Sequence, residues 1–347
     1  MYGKTTGFPP TVHLKDLNET NGFIIRDDVD LNGYNKTGTV VASAGDINGD
    51  GIDDLMLSAP HKQNINYDAG AVYVIFGKTG GLAAQFFLSS LNGSNGFVFS
   101  GTEYYETIGA GIDPIGDFNN DGFDDIAVFG SGQLKKGHII YGKSGPFPAL
   151  LLSTELNGSN GFSISGDPAV DKIANSLTGL GDVNGDGIPD IAVATYDGEK
   201  RYIIYGSSGF PSEFNVTTLN GSNGFIVQHS TSSLKYTGIN KVGDLNHDGF
   251  NDIAFNRDFV LFGSASIPAS VDLNNLDGTN GFKLENSFAS VGKSGSIGDF
   301  NKDGIDDYLF AVNNSGAVII YGREIWKSSI NMFNFTAKDG LRLTFSH

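Results

Sequence analysis

Five copies of one segment run along this chain, and that repetition limits the fold more than any other feature. The acidic segment reads GDINGDGIDD from Gly45, GDFNNDGFDD from Gly116, GDVNGDGIPD from Gly181, GDLNHDGFND from Gly243 and GDFNKDGIDD from Gly298. A run ending in an aromatic residue and glycine follows each one: VYVIFG to Gly77, HIIYG to Gly142, YIIYG to Gly206, FVLFG to Gly263 and VIIYG to Gly322. A third marker is LNETNGF to Phe23, LNGSNGF to Phe97, Phe162 and Phe225, LDGTNGF to Phe282, and a worn AKDGLRL near Leu341. From Asp46 to Asp117, Asp182, Asp244 and Asp299 the spacing falls through 71, 65, 62 and 55 residues while the markers persist. A repeated structural unit with variable connectors behaves this way.

Each unit reads as four short strands, in the first unit 38–45, 54–60, 70–77 and 95–101. These are β-branched and aromatic runs bounded by Gly, Pro, Asn and Asp, with no helical periodicity between them. Four antiparallel strands per repeat make a blade, and blades assemble because a lone one cannot bury both faces. The expected class is therefore all-β, a β-propeller of four-stranded antiparallel blades. The boundaries expected within a single domain over 1–347 are a partial blade at 1–30 and blades at 31–101, 102–166, 167–229, 230–286 and 287–347. The partial blade comes from Tyr2-Gly3, which reads as the end of a third strand, and from NGFIIRD (21–27), which reads as a fourth.

The acidity follows the repeat. Net charge is −17, and 31 of the 39 acidic side chains are Asp. Asp favours turns and hard-cation sites, whereas Glu favours helix surfaces. Aligned on its first Asp, the loop is D-x-N-x-D-G-φ-x-D (φ here an apolar residue) in every copy. The positions are Asp46, Asn48, Asp50, Gly51, Ile52, Asp54; Asp117, Asn119, Asp121, Gly122, Phe123, Asp125; and Asp182, Asn184, Asp186, Gly187, Ile188, Asp190. The last two copies carry Asp244, Asn246, Asp248, Gly249, Phe250, Asp252 and Asp299, Asn301, Asp303, Gly304, Ile305, Asp307. Side-chain oxygens at positions 1, 3, 5 and 9, with the backbone carbonyl at 7, can wrap one hard cation, and Gly at 6 permits the sharp turn. An all-oxygen set favours Ca²⁺ over transition metals, and about five structural ions are expected. Position 12 is Leu57, Val128, Val193, Phe255 and Phe310, never the Glu of an EF-hand. The loop therefore sits at a hairpin tip and is closed by the ninth-position Asp.

Other chemistries find little support. A strongly acidic chain does not suit nucleic acid, and direct membrane insertion is not expected, since no apolar run reaches about 18 residues. Cys is absent, which removes disulfides, thiolate sites and a Cys nucleophile. Residues 137–144 fit G-x-x-x-x-G-K-S, but their variable positions read as a strand rather than a loop opening a helix. The six His are scattered at 13, 61, 138, 229, 247 and 347, with no H-E-x-x-H or G-x-S-x-G. No catalytic residue is assigned.

The string GDINGDGIDDLMLSAP (45–60), followed after nine residues by GAVYVIFG, resembles the FG-GAP repeat of integrin α-chain propellers and their bacterial relatives. The likeness spans nearly the whole chain. It departs from the pattern where "GAP" survives only as Ser58-Ala59-Pro60, and where "FG" is replaced at Thr37-Gly38, Ile108-Gly109 and Val291-Gly292. The resemblance implies that the acidic loops join strands 1 and 2 of each blade on the lower face and bind Ca²⁺. Such propellers usually have seven blades, so this chain reads as an excerpt of a six- or seven-bladed ring. A calcium-stabilised extracellular or cell-surface adhesion module follows, binding protein or glycan on the opposite face. Candidate contacts there are His61, Tyr67, Tyr104 and Tyr105, on the connections His61–Ala69, Asp27–Lys36 and Gly101–Thr107. The alternative is the propeller module of a secreted polysaccharide- or lipid-degrading enzyme, which a blade-specific cluster of Glu, His or Arg in a concave pocket would favour.

Overall fold

A computed structural model describes the chain except residues 4, 6–8, 29–33, 64, 133–135, 168–172, 196–199, 229–237, 256–257, 286–290, 313–315 and 345–347. His229, His347 and residues 29–33 of the Asp27–Lys36 connection thus lie outside the described residues. The described residues form strands and short 3-10 turns, with no α-helix among them. They divide into two compact units. The first holds 1–114, 121–163 and 210–213, and the second 115–120, 164–209 and 214–347.

Five sheets each contain four antiparallel strands in chain order. The first sheet is Val41–Gly45, Asp54–Ala59, Ala71–Ile75 and Gly96–Ser100. The second is Ile108–Gly116, Asp125–Gly130, Gly137–Ile140 and Gly161–Ser165, and the third is Ile173–Gly181, Asp190–Thr195, Lys200–Ile204 and Gly224–Gln228. The fourth is Ile239–Gly243, Asp252–Phe255, Phe259–Leu261 and Gly281–Glu285, and the fifth is Val291–Ser296, Tyr308–Val312, Gly316–Ile320 and Gly340–Thr344. Middle strands such as Ala71–Ile75 and Asp190–Thr195 are buried throughout, on both of their faces. This explains why the middle strands read as nearly continuous apolar runs. Within the first unit, Met56, Val72 and Phe97 share a core with Ile126, Val128 and Ile140 of the next sheet. Within the second unit, the third and fourth sheets share a core, and so do the fourth and fifth.

The N-terminal residues repeat the pattern in part. Tyr2 N–H donates to the Asn21 carbonyl at 2.9 Å, as Phe76 does to Asn95 and Tyr141 to Asn160. Tyr2-Gly3 is thus the counterpart of Phe76-Gly77, and Ile24–Arg26 is a fourth-strand counterpart, as the repeat predicts.

The connection between strands 3 and 4 holds an element that the sequence reading missed. It carries a short strand that pairs in parallel with the fourth strand of the preceding sheet. Gln85–Phe87 lies on Ile24–Arg26, Leu150–Leu152 on Val98–Ser100, Ser270–Asp272 on Ile226–Gln228, and Ser329–Asn331 on Lys283–Glu285. On the second sheet, Ser163 N–H donates to the Ser212 carbonyl at 2.9 Å in the same manner. An aromatic side chain often arrives with the strand. Phe147 stacks on Phe97 at 4.5 Å, Phe210 on Phe162 at 4.5 Å and Trp326 on Phe282 at 4.2 Å.

Candidate metal loops and an aromatic surface

Each acidic loop joins the first and second strands of its sheet, as expected. Its backbone is left-handed at the same three places in every copy. The glycine before the first Asp has φ of 64° at Gly45, 73° at Gly116 and Gly181, 80° at Gly243 and 66° at Gly298. Position 4 is left-handed at Gly49, Asn120, Gly185, His247 and Lys302, and position 6 at Gly51, Gly122, Gly187, Gly249 and Gly304. A Cβ at any of the position-6 glycines would meet nothing within 4 Å, so conformation rather than space requires glycine there.

The carboxylates hold this shape. At position 1, Asp46, Asp182, Asp244 and Asp299 each accept the position-6 N–H, at 2.7, 2.8, 2.8 and 2.9 Å. At position 5, Asp50, Asp121, Asp186, Asp248 and Asp303 each accept the position-7 N–H, at 2.9 to 3.1 Å. The ninth-position Asp54, Asp125, Asp190, Asp252 and Asp307 are buried. Each accepts the N–H of the glycine ending strand 3, from Gly77, Gly142, Gly206, Gly263 and Gly322, at 2.7 to 3.0 Å. Here the aromatic-Gly marker finds its reason. A Cβ on any of those five glycines would fall 2.3 to 2.5 Å from the carbonyl oxygen at position 8. The strand end must approach the loop backbone that closely for its N–H to reach the carboxylate.

Three acids per loop at this density oppose ionisation. Burial pushes Asp54 up to about 7, with the Asp50 and Asp46 charges adding to it against the Gly77 N–H. Burial likewise pushes Asp190 up to about 8, helped by Asp186 and Asp182. Asp252 and Asp307 are raised for the same leading reason.

Among the described residues no group of three His, Asp or Glu side chains stands ready to hold a metal ion. The position-3 asparagines show how the charge is met instead. Asn48 Nδ2 donates to both Asp54 oxygens at 3.2 Å, and Asn184, Asn246 and Asn301 donate to the position-5 Asp at 3.0, 2.7 and 2.8 Å. The amide NH₂ supplies the partial positive charge among the carboxylates that a cation would supply. The donor set fits a hard cation, and one atom is left wanting it. Asn246 Oδ1, at a ligand position, is shielded from solvent with no hydrogen-bond partner. Rotating such an amide by half a turn would exchange nitrogen for oxygen and complete an all-oxygen set.

At the opposite ends of the first sheets the predicted His61, Tyr67, Tyr104 and Tyr105 are brought near one another, joined by Tyr34, which the sequence reading missed. Tyr67 packs against Tyr105 at 5.4 Å and Tyr34 at 6.1 Å, and Tyr34 against His61 at 6.3 Å. The Tyr34 and Tyr67 hydroxyls are hydrogen-bonded to each other, and His61 Nδ1 lies 3.5 Å from Asp68 Oδ1. Tyr104 is the most exposed of the four tyrosines. The loops carry backbone strain: Lys36, Asp68, Tyr105 and Thr107 all have φ between 52° and 57°. Tyr105 N–H to the Tyr67 carbonyl and Thr107 N–H to the Asp68 carbonyl, each 2.9 Å, clamp the two connections together. Every left-handed non-glycine residue among those described lies either here or at position 4 of an acidic loop.

One blade-specific cluster also exists. His138 Nδ1 lies 3.0 Å from Ser163 Oγ, and His138 Nε2 lies 3.5 Å from Glu106 Oε1. Glu106 also accepts the Thr102 and Glu103 N–H groups, and all three side chains are buried. The Glu106 carboxylate braces the loop bearing Tyr104 and Tyr105.

The FG-GAP repeat family matches residues 37–75 and 174–205, which hold the first and third acidic loops with their flanking strands. The chain carries FG-GAP repeats. Integrin alpha-IIb of Mus musculus is 30% identical over 175 residues, covering 46% of this chain and 15% of that protein. Integrin alpha-4 of Xenopus laevis is 31% identical over 166 residues, covering 46% and 14%. Integrin alpha-5 of Xenopus laevis is 29% identical over 210 residues, covering 54% and 18%. The chain thus spans under a fifth of the length of these relatives. Its sheets are blades of an FG-GAP, integrin alpha-like β-propeller.

Proposed function

We propose that the chain is a calcium-stabilised, extracellular integrin-like module that is not itself an enzyme. In this reading one Ca²⁺ enters each acidic loop, held by positions 1, 3, 5 and 9 and the carbonyl of position 7. The supporting observation is the fivefold arrangement of buried, crowded carboxylates, with the shielded, unpartnered Asn246 Oδ1 among them. A divalent ion offsets the like charges, replaces the asparagine NH₂ and locks loop to strand 3. The single domain and the blade boundaries given above belong to the same reading.

The ligand-binding face is then the Tyr34, His61, Tyr67, Tyr104 and Tyr105 surface, at the blade ends away from the loops. Tyrosines offer a large apolar face and a polar tip at little entropic cost, which suits a protein or glycan partner. Calorimetric titration of the chelated chain tests the metal reading. About five Ca²⁺ per chain are expected, at the ~10⁻⁴–10⁻³ M affinity of extracellular sites. Asp50→Ala should remove one of them. A chain with no heat of binding and no gain in thermal midpoint on adding Ca²⁺ contradicts the assignment.

A further inference from the structure

One buried cluster departs from the repeat. Strand 3 of the second blade carries His138 where the others carry Tyr73, Tyr202, Phe259 and Val318, counted back from the strand-ending glycine. Ser163 stands on the fourth strand, where the residue after the marker's last position is Val98, Ile226, Lys283 or Arg342. The other sheets pair these places directly, Tyr73 with Val98, Tyr202 with Ile226, Phe259 with Lys283 and Val318 with Arg342. An apolar or aromatic side chain on strand 3 thus satisfies the fold here, and packing does not call for a histidine. Glu106 comes from the connection into this blade's first strand and belongs to no repeat marker.

Glu106 sits between two left-handed residues, Tyr105 at φ 57° and Thr107 at φ 53°. Its side chain is buried while Tyr104 and Tyr105 stay exposed. Oε2 accepts the Thr102 and Glu103 N–H groups at 2.8 and 3.1 Å, which closes the loop from inside. Oε1 lies 3.5 Å from His138 Nε2, which is shielded from solvent and has no hydrogen-bond partner. His138 Nδ1 is 3.0 Å from Ser163 Oγ. That hydroxyl can donate to a neutral ring or accept from a protonated one, so both states of His138 are accommodated. The charge balance differs between them. Glu106 is 4% exposed, and a buried carboxylate facing a neutral ring lacks a counter-charge. Burial works against its ionisation, yet the His138 contact and the loop N–H groups hold it below the ordinary carboxylate range. The other charged groups described on the elements around His138 lie apart from this contact. Glu103 is exposed, Asp125 accepts the Gly142 N–H at the acidic-loop end of the second strand, and Lys136 pairs with Glu213 at 3.5 Å. The His61–Asp68 pair belongs to the adjoining connection. Phe99 of the first blade meets the His138 ring edge-on at 5.6 Å.

We propose that Ser163, His138 and Glu106 are buried positioning residues, through which a proton on His138 fixes the Tyr104–Tyr105 loop of the aromatic surface. The proposal rests on the reading of that surface as the ligand-binding face and adds its regulation. A proton on His138 places a positive charge 3.5 Å from Glu106 Oε1, in the core, where salt and water screen it little. The cost of burying the carboxylate is then offset, and its two N–H bonds keep the loop closed over it. With His138 neutral, the same carboxylate gains by reaching water, and its outward motion releases the Thr102 and Glu103 N–H groups. The sign follows. Docking of the loop is strongest with the proton on and weakens as pH rises through the histidine range, between about pH 5 and 8. Glu106 stays ionised through that window, because it is held below the ordinary carboxylate range.

The test uses the whole chain in calcium buffer, without ligand, at about pH 5.5 and about pH 8, either side of the histidine range. Hydrogen exchange at the Thr102 and Glu103 amides is divided by the rate of an unstructured chain at the same pH. Their protection should fall roughly tenfold or more from the lower pH to the higher, the least that a charge-assisted contact of this kind is worth. Protection of the Phe99 amide, inside a strand, should hold. In the wild-type chain the Thr102 amide shift should titrate with the same midpoint as the His138 ring protons. His138→Gln keeps polar contacts without a titrating charge, so protection at Thr102 and Glu103 should be low and equal at both pH values. His61→Gln should keep the wild-type difference. Protection that is independent of pH in a chain that melts normally overturns the proposal. So does a Thr102 midpoint separate from that of His138, or a pH difference that survives His138→Gln. No ligand enters these readouts, so a failure of the ligand reading shows separately, as absent binding by a chain whose loop titrates as expected.

Discussion

Replacing Gly142 by Ala puts a methyl carbon 2.3 Å from the Asp124 carbonyl oxygen, 2.7 Å from Phe123 Cβ and 2.9 Å from the Ile47 carbonyl oxygen. None of the three is the free end of a flexible side chain, so the strand end must retreat by about 1 Å to reach ordinary contact. That movement carries the Gly142 N–H off Asp125 Oδ1, now 2.8 Å away, and stretches the Lys143 N–H bond to the Ile47 carbonyl, now 3.0 Å. A charge-assisted bond to a buried carboxylate contributes ~1.5–3 kcal/mol and a neutral one ~1 kcal/mol, so the substitution costs about 2.5–4 kcal/mol. Gly122→Ala in the same loop is the control. Its Cβ meets nothing within 4 Å, and only the φ of 93° opposes it, at ~1–2 kcal/mol. Urea unfolding in saturating Ca²⁺ measures both costs. The reasoning fails if the Gly142→Ala midpoint matches wild type or if Gly122→Ala is the more damaging change.

Three further outcomes follow from the same geometry. With chelator present, the raised Asp54 and Asp190 favour the protonated form in the fold, so their contribution is full below the ordinary value of 3.8 and is lost as pH rises through about 7 and 8. The chelated chain should therefore melt higher at pH 5 than at pH 8, and Ca²⁺ should raise the midpoint more at pH 8; the reverse order counts against the loop electrostatics. Trp326, the one tryptophan in the sequence, should tolerate Phe, the residue that two other junctions use, while Trp326→Ala should cost ~3–5 kcal/mol in urea unfolding. Lys302→Gly should stabilise the chain by ~0.4–1 kcal/mol, because Lys302 sits at φ 64° where Gly49 and Gly185 already serve; a lower thermal midpoint would argue against strain at that position.

Much of the candidate site was legible because its chemistry is local. Positions 1, 5 and 6 of each loop interact within six residues, so D-x-N-x-D-G carries both the left-handed turns and the carboxylates that cap them. Tyr2-Gly3 and Ile24–Arg26 were legible for the same reason, as fragments of a marker seen five more times. The role of the aromatic-Gly marker was not legible, since Gly77 meets Asp54 only after a strand pairing brings them together. The connection Asp27–Lys36 was legible as part of this face, but that its Tyr34 meets His61 and Tyr67 was not, because the contact forms only across separate connections.

The repeat alone specified all-β blades, the number of complete ones and the loops that carry the charge, since strand alternation and turn chemistry act over a few residues. Only the tertiary structure showed that each unit gives part of itself away. Gln85–Phe87, Leu150–Leu152, Ser270–Asp272 and Ser329–Asn331 are too short and too mixed to announce themselves as strands, and they become strands because the preceding blade offers a sheet edge. Their pairing is parallel and non-local. Nothing within a unit's own residues encodes it.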